Sequence, residues 1–178
     1  MADVPEMARV HVQADWDTYA PLFSAYAYRL DTAESVRRWR QALESDGQLL
    51  VSTDRGRIVG LGHARADRID ALYLLSAYHR RGIGKAMLAQ LLSALHERGV
   101  TEARLDVIAV NAQAIAFYTA QGARTVGSCI NVDPRGTQRI SSWRLRPGVE
   151  VPRLGLPPAE LCGLARTQGF ARGGATRP

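Results

Sequence analysis

Residues 72–87 read Leu-Tyr-Leu-Leu-Ser-Ala-Tyr-His-Arg-Arg-Gly-Ile-Gly-Lys-Ala-Met, the most informative segment of the chain. The pattern predicts a strand, a short basic loop with two glycines, and a helix over 82–98. The first turn of such a helix presents backbone N–H groups without intrahelical partners, and the helix dipole adds positive charge there. Arg80, Arg81 and Lys85 place mobile cations around these groups. The segment therefore predicts a site for an anion such as a phosphate or pyrophosphate.

Two common phosphate-binding loops do not match this segment. A P-loop needs a glycine five residues before its Gly-Lys-Ser/Thr, whereas position 79 is His and Lys85 is followed by Ala86. The dinucleotide fingerprint needs a third glycine three residues after Gly84, and that residue is Met87. Taken alone, the glycine pair favours a tight strand–helix connection with solvated arginines over an anion site.

The segment resembles the acyl-CoA-binding motif of the GNAT superfamily of N-acetyltransferases, Arg/Gln-x-x-Gly-x-Gly/Ala. Residues 80–85 fit this pattern, and residues 72–75 match the strand that precedes it. His79 stands at the Arg/Gln position, and Ser76 replaces a frequent proline.

A second segment supports the same resemblance. Asn111 and Tyr118, seven residues apart and followed by Gly122, match the family's second characteristic segment, with Ala123 in place of the usual Phe. The resemblance covers residues 8–146. It implies an α/β fold whose mixed, mostly antiparallel central sheet contains a splayed strand pair and carries helices on both faces.

The resemblance implies acetyl-CoA as cosubstrate and no metal. The pyrophosphate would lie over the N–H groups of residues 80–85, and the pantetheine arm would pair with the edge of strand 72–75. The backbone N–H of Leu74 would stabilise the oxyanion of the tetrahedral intermediate. The implied cofactor-binding residues are Leu72, Tyr73, Leu74, Arg80, Arg81, Gly82, Ile83, Gly84, Lys85, Asn111 and Tyr118.

Proton transfer requires further residues. Tyr118 is the expected proton donor to the CoA thiolate, because a phenol with a pKa of about 10 keeps its proton at neutral pH. Asp106 is the first candidate for the general base and Asp70 the second, while a relay through ordered water remains an alternative. His63 is a third candidate, for which we favour the interpretation of an exposed strand residue without a catalytic role.

Hydrophobic patterning predicts the remaining elements. Trp39 and Trp143 are expected in the core rather than in the substrate pocket, as are Tyr26 and Tyr28. The expected strands are 8–13, 48–52, 57–65, 69–75, 100–110, 126–132 and 139–145; the expected helices run from Asp15 or Asp17 to Tyr28, from Asp31 or Thr32 to Gly47, and from Asn111 to Gly122.

Composition narrows the classes of function. The formal net charge is +6, but 22 of the 23 basic residues are Arg and they are scattered, so we do not expect nucleic-acid binding. No apolar run reaches the ~20 residues of a membrane span. Cys129 and Cys162 form no metal-binding pair, and with no export signal visible they suggest the reducing cytoplasm.

The predicted organisation is a catalytic domain over 1–146 and an extension over 147–178. The extension holds five of the eight prolines, a candidate helix over 158–168 and an end expected to be disordered. The predicted activity is transfer of an acetyl group from acetyl-CoA to a primary amine of a small molecule or protein. The alternative is a catalytically silent acyl-CoA-binding domain, and a homodimer is considered beside a monomer.

Overall fold

The computed structural model describes residues 3–23, 30–133 and 136–146. Within these residues there are four α-helices, a short 3₁₀ turn (Ser76–Tyr78) and six strands. The helices are α1 (Val4–Tyr19), α2 (Thr32–Glu44), α3 (Ile83–Glu97) and α4 (Ala112–Ala120). The strands are β1 (Gln48–Asp54), β2 (Arg57–Arg65), β3 (Arg68–Leu74), β4 (Ala103–Ile108), β5 (Arg124–Asp133) and β6 (Gly136–Leu145).

The six strands form one sheet in the order β1-β2-β3-β4-β6-β5. All neighbouring pairs are antiparallel except β3 and β4, which are parallel and pair only at Arg68 and Arg104. Beyond that point the two strands separate. The mixed, mostly antiparallel sheet with a splayed pair is therefore confirmed.

Helices cover both faces of the sheet, and adjacent residues of β1 show the division. Leu50 packs in the cluster that contains the apolar stripe of α3, while Leu49 packs with residues of α1 and α2. Because successive side chains of a strand point to opposite faces, the two clusters lie on opposite sides of the sheet. Trp143 belongs to the first cluster and Trp39 to the second, so both tryptophans are core residues as predicted.

Close packing of α3 on the sheet depends on glycine in β2. A Cβ on Gly60 would lie 3.0 Å from both Leu74 Cδ1 and Met87 Sδ, and one on Gly62 would lie 2.9 Å from Leu91 Cδ1. Side chains at these two positions would therefore displace the ends of the Leu74, Met87 and Leu91 side chains and loosen the packing of α3 on the sheet.

The N-terminal prediction is wrong: residues 8–13 lie within α1 rather than in a strand. Asp3 caps this helix by accepting a hydrogen bond from the Glu6 N–H at 3.2 Å, and Pro5 occupies its first turn. Residues 8–13 alone fit an alternating pattern, but the buried positions over the whole of α1 follow the helical period. They are Met7, Ala8, Val10, His11, Ala14 and Asp15, so Asp15 and Asp17 lie inside the helix and do not cap one.

The other elements agree with the predictions in type, with ends shifted by a few residues. Asp31 caps α2, which ends at Glu44, three residues before Gly47. The predicted strand 100–110 is shorter, at Ala103–Ile108. Tyr26, Tyr28 and the 147–178 extension with its 158–168 helix lie outside the described residues. Among the described helices, none has the length and apolar character that a bilayer span requires.

Candidate active site

A cleft of about 610 Å³ opens where β3 and β4 separate. Residues of α1, β3, β4 and α4, and of the loop before α3, form its walls. It includes most of the residues singled out from the sequence: Asp70, Leu72, Tyr73, Leu74, Arg80, Gly82, Gly84, Lys85, Asp106, Asn111 and Tyr118. Segments that are distant along the chain thus meet in one cavity.

One end of the cleft is formed by the N-terminus of α3. The other three described α-helices are capped by the side chains of Asp3, Asp31 and Asn111, whereas the residue at this position of α3 is Gly82, which has no side chain to cap it. Gly82 has a φ of 81°, a left-handed conformation that glycine adopts without steric cost. The N–H groups of the first turn of α3 are therefore available to an anion in the cleft.

The residues around this helix end differ in where their side chains point. Arg80, held at a φ of 60°, and Lys85 line the cleft. The Arg81 guanidinium instead lies over the Tyr78 ring, 5.1 Å from its centroid, and Ile83 is buried in the α3 core cluster. Ile83 can therefore meet a ligand only through its backbone, while Arg80 and Lys85 supply side-chain charge.

The backbone of β3 turns unpaired groups toward the splay. The Leu75 N–H donates to the Val59 carbonyl at 3.0 Å, and Leu74 lies opposite Gly60. Because backbone groups alternate in direction along an antiparallel strand, the N–H and C=O of Leu74 point away from β2. The same holds for Leu72, two residues earlier. The Leu74 C=O already accepts from His79 Nε2 at 2.9 Å. The cleft wall thus offers the Leu74 N–H and the N–H and C=O of Leu72 for hydrogen bonds to an extended ligand.

Tyr118 lines the same cleft from α4. Its side chain is half-buried and packs against the α3 core cluster. Burial raises the pKa of the Tyr118 phenol well above its usual range, and the neighbouring Tyr19 and Tyr73 add to the effect. The phenol therefore keeps its proton throughout the neutral and mildly alkaline range.

Asn111 links the cleft to α4. The residue is buried, lines the cleft and accepts a hydrogen bond from the Ala114 N–H through its side-chain oxygen at 3.0 Å. This bond caps α4. The side-chain amide N–H₂ is not needed for the cap and can donate to a ligand.

The opposite end of the cleft carries two carboxylates, from Asp70 and Asp106. Arg68 bridges them, with Nη2 bonded to Asp106 Oδ2 and Nε 3.4 Å from Asp70 Oδ1. The pKa of Arg68 is raised, chiefly by its hydrogen bond to Asp106, so the bridge remains charged. Asp70 is the extra residue of a β-bulge between β2 and β3, a feature that re-aims a side chain.

His63 lies behind Asp70 rather than in the cleft. Its Nδ1 is 3.4 Å from Asp70 Oδ2, and the residue is buried. Burial lowers the pKa of His63, an effect that the Asp70 carboxylate partly offsets. The expectation of an exposed strand residue is therefore wrong, because the imidazole is buried and contacts Asp70.

Sequence reasoning did not identify several residues of the cleft. His79 was treated only as a departure from a motif, although it lines the cleft and contacts both Leu74 and Gln113. Thr18 and Tyr19 enter from the C-terminal end of α1, in a segment that was predicted to be helical but carries no motif. Arg68 carries no motif signal, because its bridging role depends on the register of β3 against β4.

Comparison with known proteins shows what this architecture is similar to. The model of the acetyltransferase (GNAT) family matches residues 12–123. Solved structures with the same fold include a GCN5-related N-acetyltransferase, described as a class-II aminotransferase, from Rhodopseudomonas palustris (19% identity, 81% of this chain and 89% of the other, TM-score 0.67).

Two other structures carry more specific descriptions. A ribosomal-protein-alanine N-acetyltransferase from Brucella melitensis shares 20% identity over 81% of this chain and 94% of the other, with a TM-score of 0.65. A GNAT superfamily phosphinothricin acetyltransferase from Sinorhizobium meliloti, in complex with acetyl-CoA, shares 18% identity over 90% and 95%, with a TM-score of 0.62. At these identities the likeness shows a common fold.

Proposed function

Because this chain belongs to the GNAT acetyltransferase family, we propose that it is an N-acetyltransferase that moves an acetyl group from acetyl-CoA to a primary amine. The observation that carries the proposal is the order of groups along one cleft. Free helix N–H groups and cations come first, unpaired edge groups of β3 follow, and Tyr118 and two carboxylates complete the walls. This order suits a phosphate, an amide-containing arm and a thioester, respectively.

The phosphate end favours CoA over a smaller acyl donor. The first-turn N–H groups of α3 would hold the pyrophosphate, with Arg80 and Lys85 adding charge. The amides of the pantetheine arm would exchange hydrogen bonds with the backbone of Leu72, as a paired strand does, and the Leu74 N–H would remain for the thioester carbonyl. Asn111 would contribute through its side-chain amide from the opposite wall.

The chemical step is direct attack of a neutral amine on the thioester carbonyl. Negative charge develops on the carbonyl oxygen, and the Leu74 N–H is directed into the splay where that oxygen would lie. A single donor of this kind typically contributes about 3–4 kcal/mol to the transition state. The C–S bond then breaks, leaving a thiolate that needs a proton.

Tyr118 would give its proton to the thiolate. A phenol with a raised pKa is a weaker acid, which by itself opposes the transfer to a thiolate of conjugate pKa about 8.5. The thiolate, however, forms in the same half-buried cleft, and loss of water disfavours that anion as well. Both pKa values therefore rise, and a short hydrogen bond between the groups assists the transfer.

The acceptor amine would approach from the carboxylate end. A primary alkylamine has a pKa of about 10.4 and must lose a proton before it attacks. Asp106 is the first candidate base and Asp70 the second, with ordered water between base and amine as the alternative to direct contact. The carboxylates also favour a cationic acceptor, either a small molecule or a protein amine.

Substitution of Tyr118 by Phe tests the proposal. We expect Tyr118→Phe to bind acetyl-CoA as the wild-type protein does, because the ring still packs in place, and to lose 10²- to 10⁴-fold in turnover, the typical contribution of a general acid. Release of CoA thiol in the presence of a panel of primary amines measures turnover. Equal turnover in both proteins would contradict the role of Tyr118.

The same assay separates an enzyme from a silent binding domain. An enzyme releases thiol with at least one amine of the panel. A protein that binds acetyl-CoA but releases no thiol with any small amine or peptide amine is a sensor rather than a catalyst, and the proposed activity is then wrong.

A further inference from the structure

His79 lies at a junction that the proposed reaction does not use. It ends the 3₁₀ turn after β3, and its imidazole folds back to the strand, with Nε2 2.9 Å from the Leu74 carbonyl oxygen. On the other side of the ring, Nδ1 lies 3.0 Å from Nε2 of Gln113, the second residue of α4. The ring thus contacts two different elements at once.

The partners of the imidazole assign its tautomer. A carbonyl oxygen can only accept a hydrogen bond, so the Nε2 of His79 must donate to Leu74. Nδ1 then carries no proton in the neutral ring and accepts from the side-chain amide of Gln113. The Gln113 amide thus donates to His79 Nδ1, and His79 Nε2 donates to the Leu74 carbonyl oxygen, so that both ring nitrogens have a hydrogen-bond partner.

This chain of hydrogen bonds joins the two walls of the cleft. Leu74 ends β3, and Gln113 follows β4 through the Asn111 corner. The walls are paired at the closed end, where Arg68 lies opposite Arg104, and separate beyond it. His79, Gln113 and Leu74 all line the cleft.

We propose that His79 is a positioning residue that fixes the width of the open end of the cleft by linking Leu74 to Gln113. The proposal rests on the proposed function, since the cleft is taken as the slot for the pantetheine arm. With the link in place, the β3 edge groups are already set for an extended ligand. Without it, both walls must be ordered when the ligand binds, and that ordering lowers affinity.

A defined ligand pair tests this role. Coenzyme A fills both the phosphate end and the slot, whereas 3′-phospho-ADP carries the same phosphates and lacks the pantetheine arm. We expect His79→Leu to raise the Kd of CoA about three- to tenfold, the net effect of one or two lost hydrogen bonds. We expect the Kd of 3′-phospho-ADP to stay unchanged, because the first turn of α3 is untouched.

Four further variants make the test specific. Gln113→Leu removes the other end of the link at an exposed position that folding does not need, and the double variant should bind CoA no more weakly than the weaker single variant. His79→Gln should restore wild-type affinity, since its amide both donates and accepts. His96→Leu, at an exposed site on α3, is the matched control for the substitution.

Isothermal titration calorimetry of both ligands gives the result. The positioning role is wrong if CoA affinity is unchanged in His79→Leu and Gln113→Leu, if both ligands weaken equally, or if His79→Gln binds as poorly as His79→Leu. Failure of the wild-type protein to bind CoA at all would instead overturn the proposed function.

Discussion

At the scale of single residues, Gly84 is a position where the fold does not require glycine but close approach of a ligand does. A Cβ at this position would lie 3.7 Å from the Phe117 ring, an ordinary contact, so the fold has room for a side chain. Glycine also costs about 1 kcal/mol in a helix relative to alanine. Its presence in the first turn of α3, facing the cleft, therefore suits ligand approach better than stability.

We predict that Gly84→Val weakens acetyl-CoA binding by about tenfold or more without lowering the melting temperature. The valine methyl groups would occupy the cleft between α3 and Phe117. Gly127→Val is the matched control, because a Cβ there meets nothing within 4 Å and the residue does not line the cleft. Equal affinity of the two variants would show that ligand does not pass Gly84.

The raised pKa of the Tyr118 phenol leads to a prediction about the pH dependence of catalysis. Its active form is the protonated phenol, and its raised pKa keeps that form present to higher pH than in an ordinary tyrosine. The value of kcat/KM should therefore rise with pH as the acceptor amine loses its proton, with no decline below about pH 10. A pH–rate profile measures this, and a descending limb near pH 8–9 would exclude Tyr118 as its source.

At the scale of elements, the Asn111 cap controls the start of α4. Asn111→Ala should lower the free energy of unfolding by about 1 kcal/mol, since the Ala114 N–H loses its partner. Asn111→Asp retains an oxygen at the same place and should keep most of the stability. Urea denaturation of the three proteins compares them, and equal midpoints would show that the cap contributes nothing.

A comparison of α3 with α1 shows why one helix could be predicted from the sequence and the other was missed. α3 was predicted because Met87, Leu88, Leu91 and Leu95 repeat at helical spacing over more than two turns, and they pack in one core cluster. α1 was missed because a six-residue window at 8–13 fits both periods. The Asp3-x-x-Glu6 signature, an N-terminal cap with an acidic residue three positions later, would have corrected it.

At the scale of the whole molecule, His63 links stability to pH. Burial lowers the pKa of His63, so between its unfolded pKa of about 6.5 and the lower folded value the unfolded chain binds more protons. The stability that this residue provides is present above about pH 6.5 and is lost as the pH falls through the folded pKa.

We predict that His63→Gln is less sensitive to acid than the wild-type protein. The difference in unfolding free energy between about pH 8 and pH 5.5 should be smaller in the variant, because the glutamine does not titrate. Chemical denaturation at both pH values gives this difference. An equal loss in both proteins would assign the acid sensitivity to other groups.

The site as a whole could be predicted only where local sequence carries the chemistry. The strand–loop–helix at 72–87 and the Asn111–Tyr118 spacing are local patterns, and the structure brings their residues into one cleft. The Arg68 bridge, the Asp70 bulge and the His79–Gln113 link depend on strand register and on how far β3 and β4 separate. Such long-range geometry leaves no periodic trace in the sequence.

A crystal structure with acetyl-CoA bound is the most direct test of the central claim, that the splay of β3 and β4 is the acyl-donor slot. We expect the pyrophosphate at the first-turn N–H groups of α3 and the thioester carbonyl oxygen about 2.7–3.1 Å from the Leu74 nitrogen. The Tyr118 hydroxyl should point at the sulfur. A cofactor bound outside the cleft, or a carbonyl turned away from Leu74, would contradict the account.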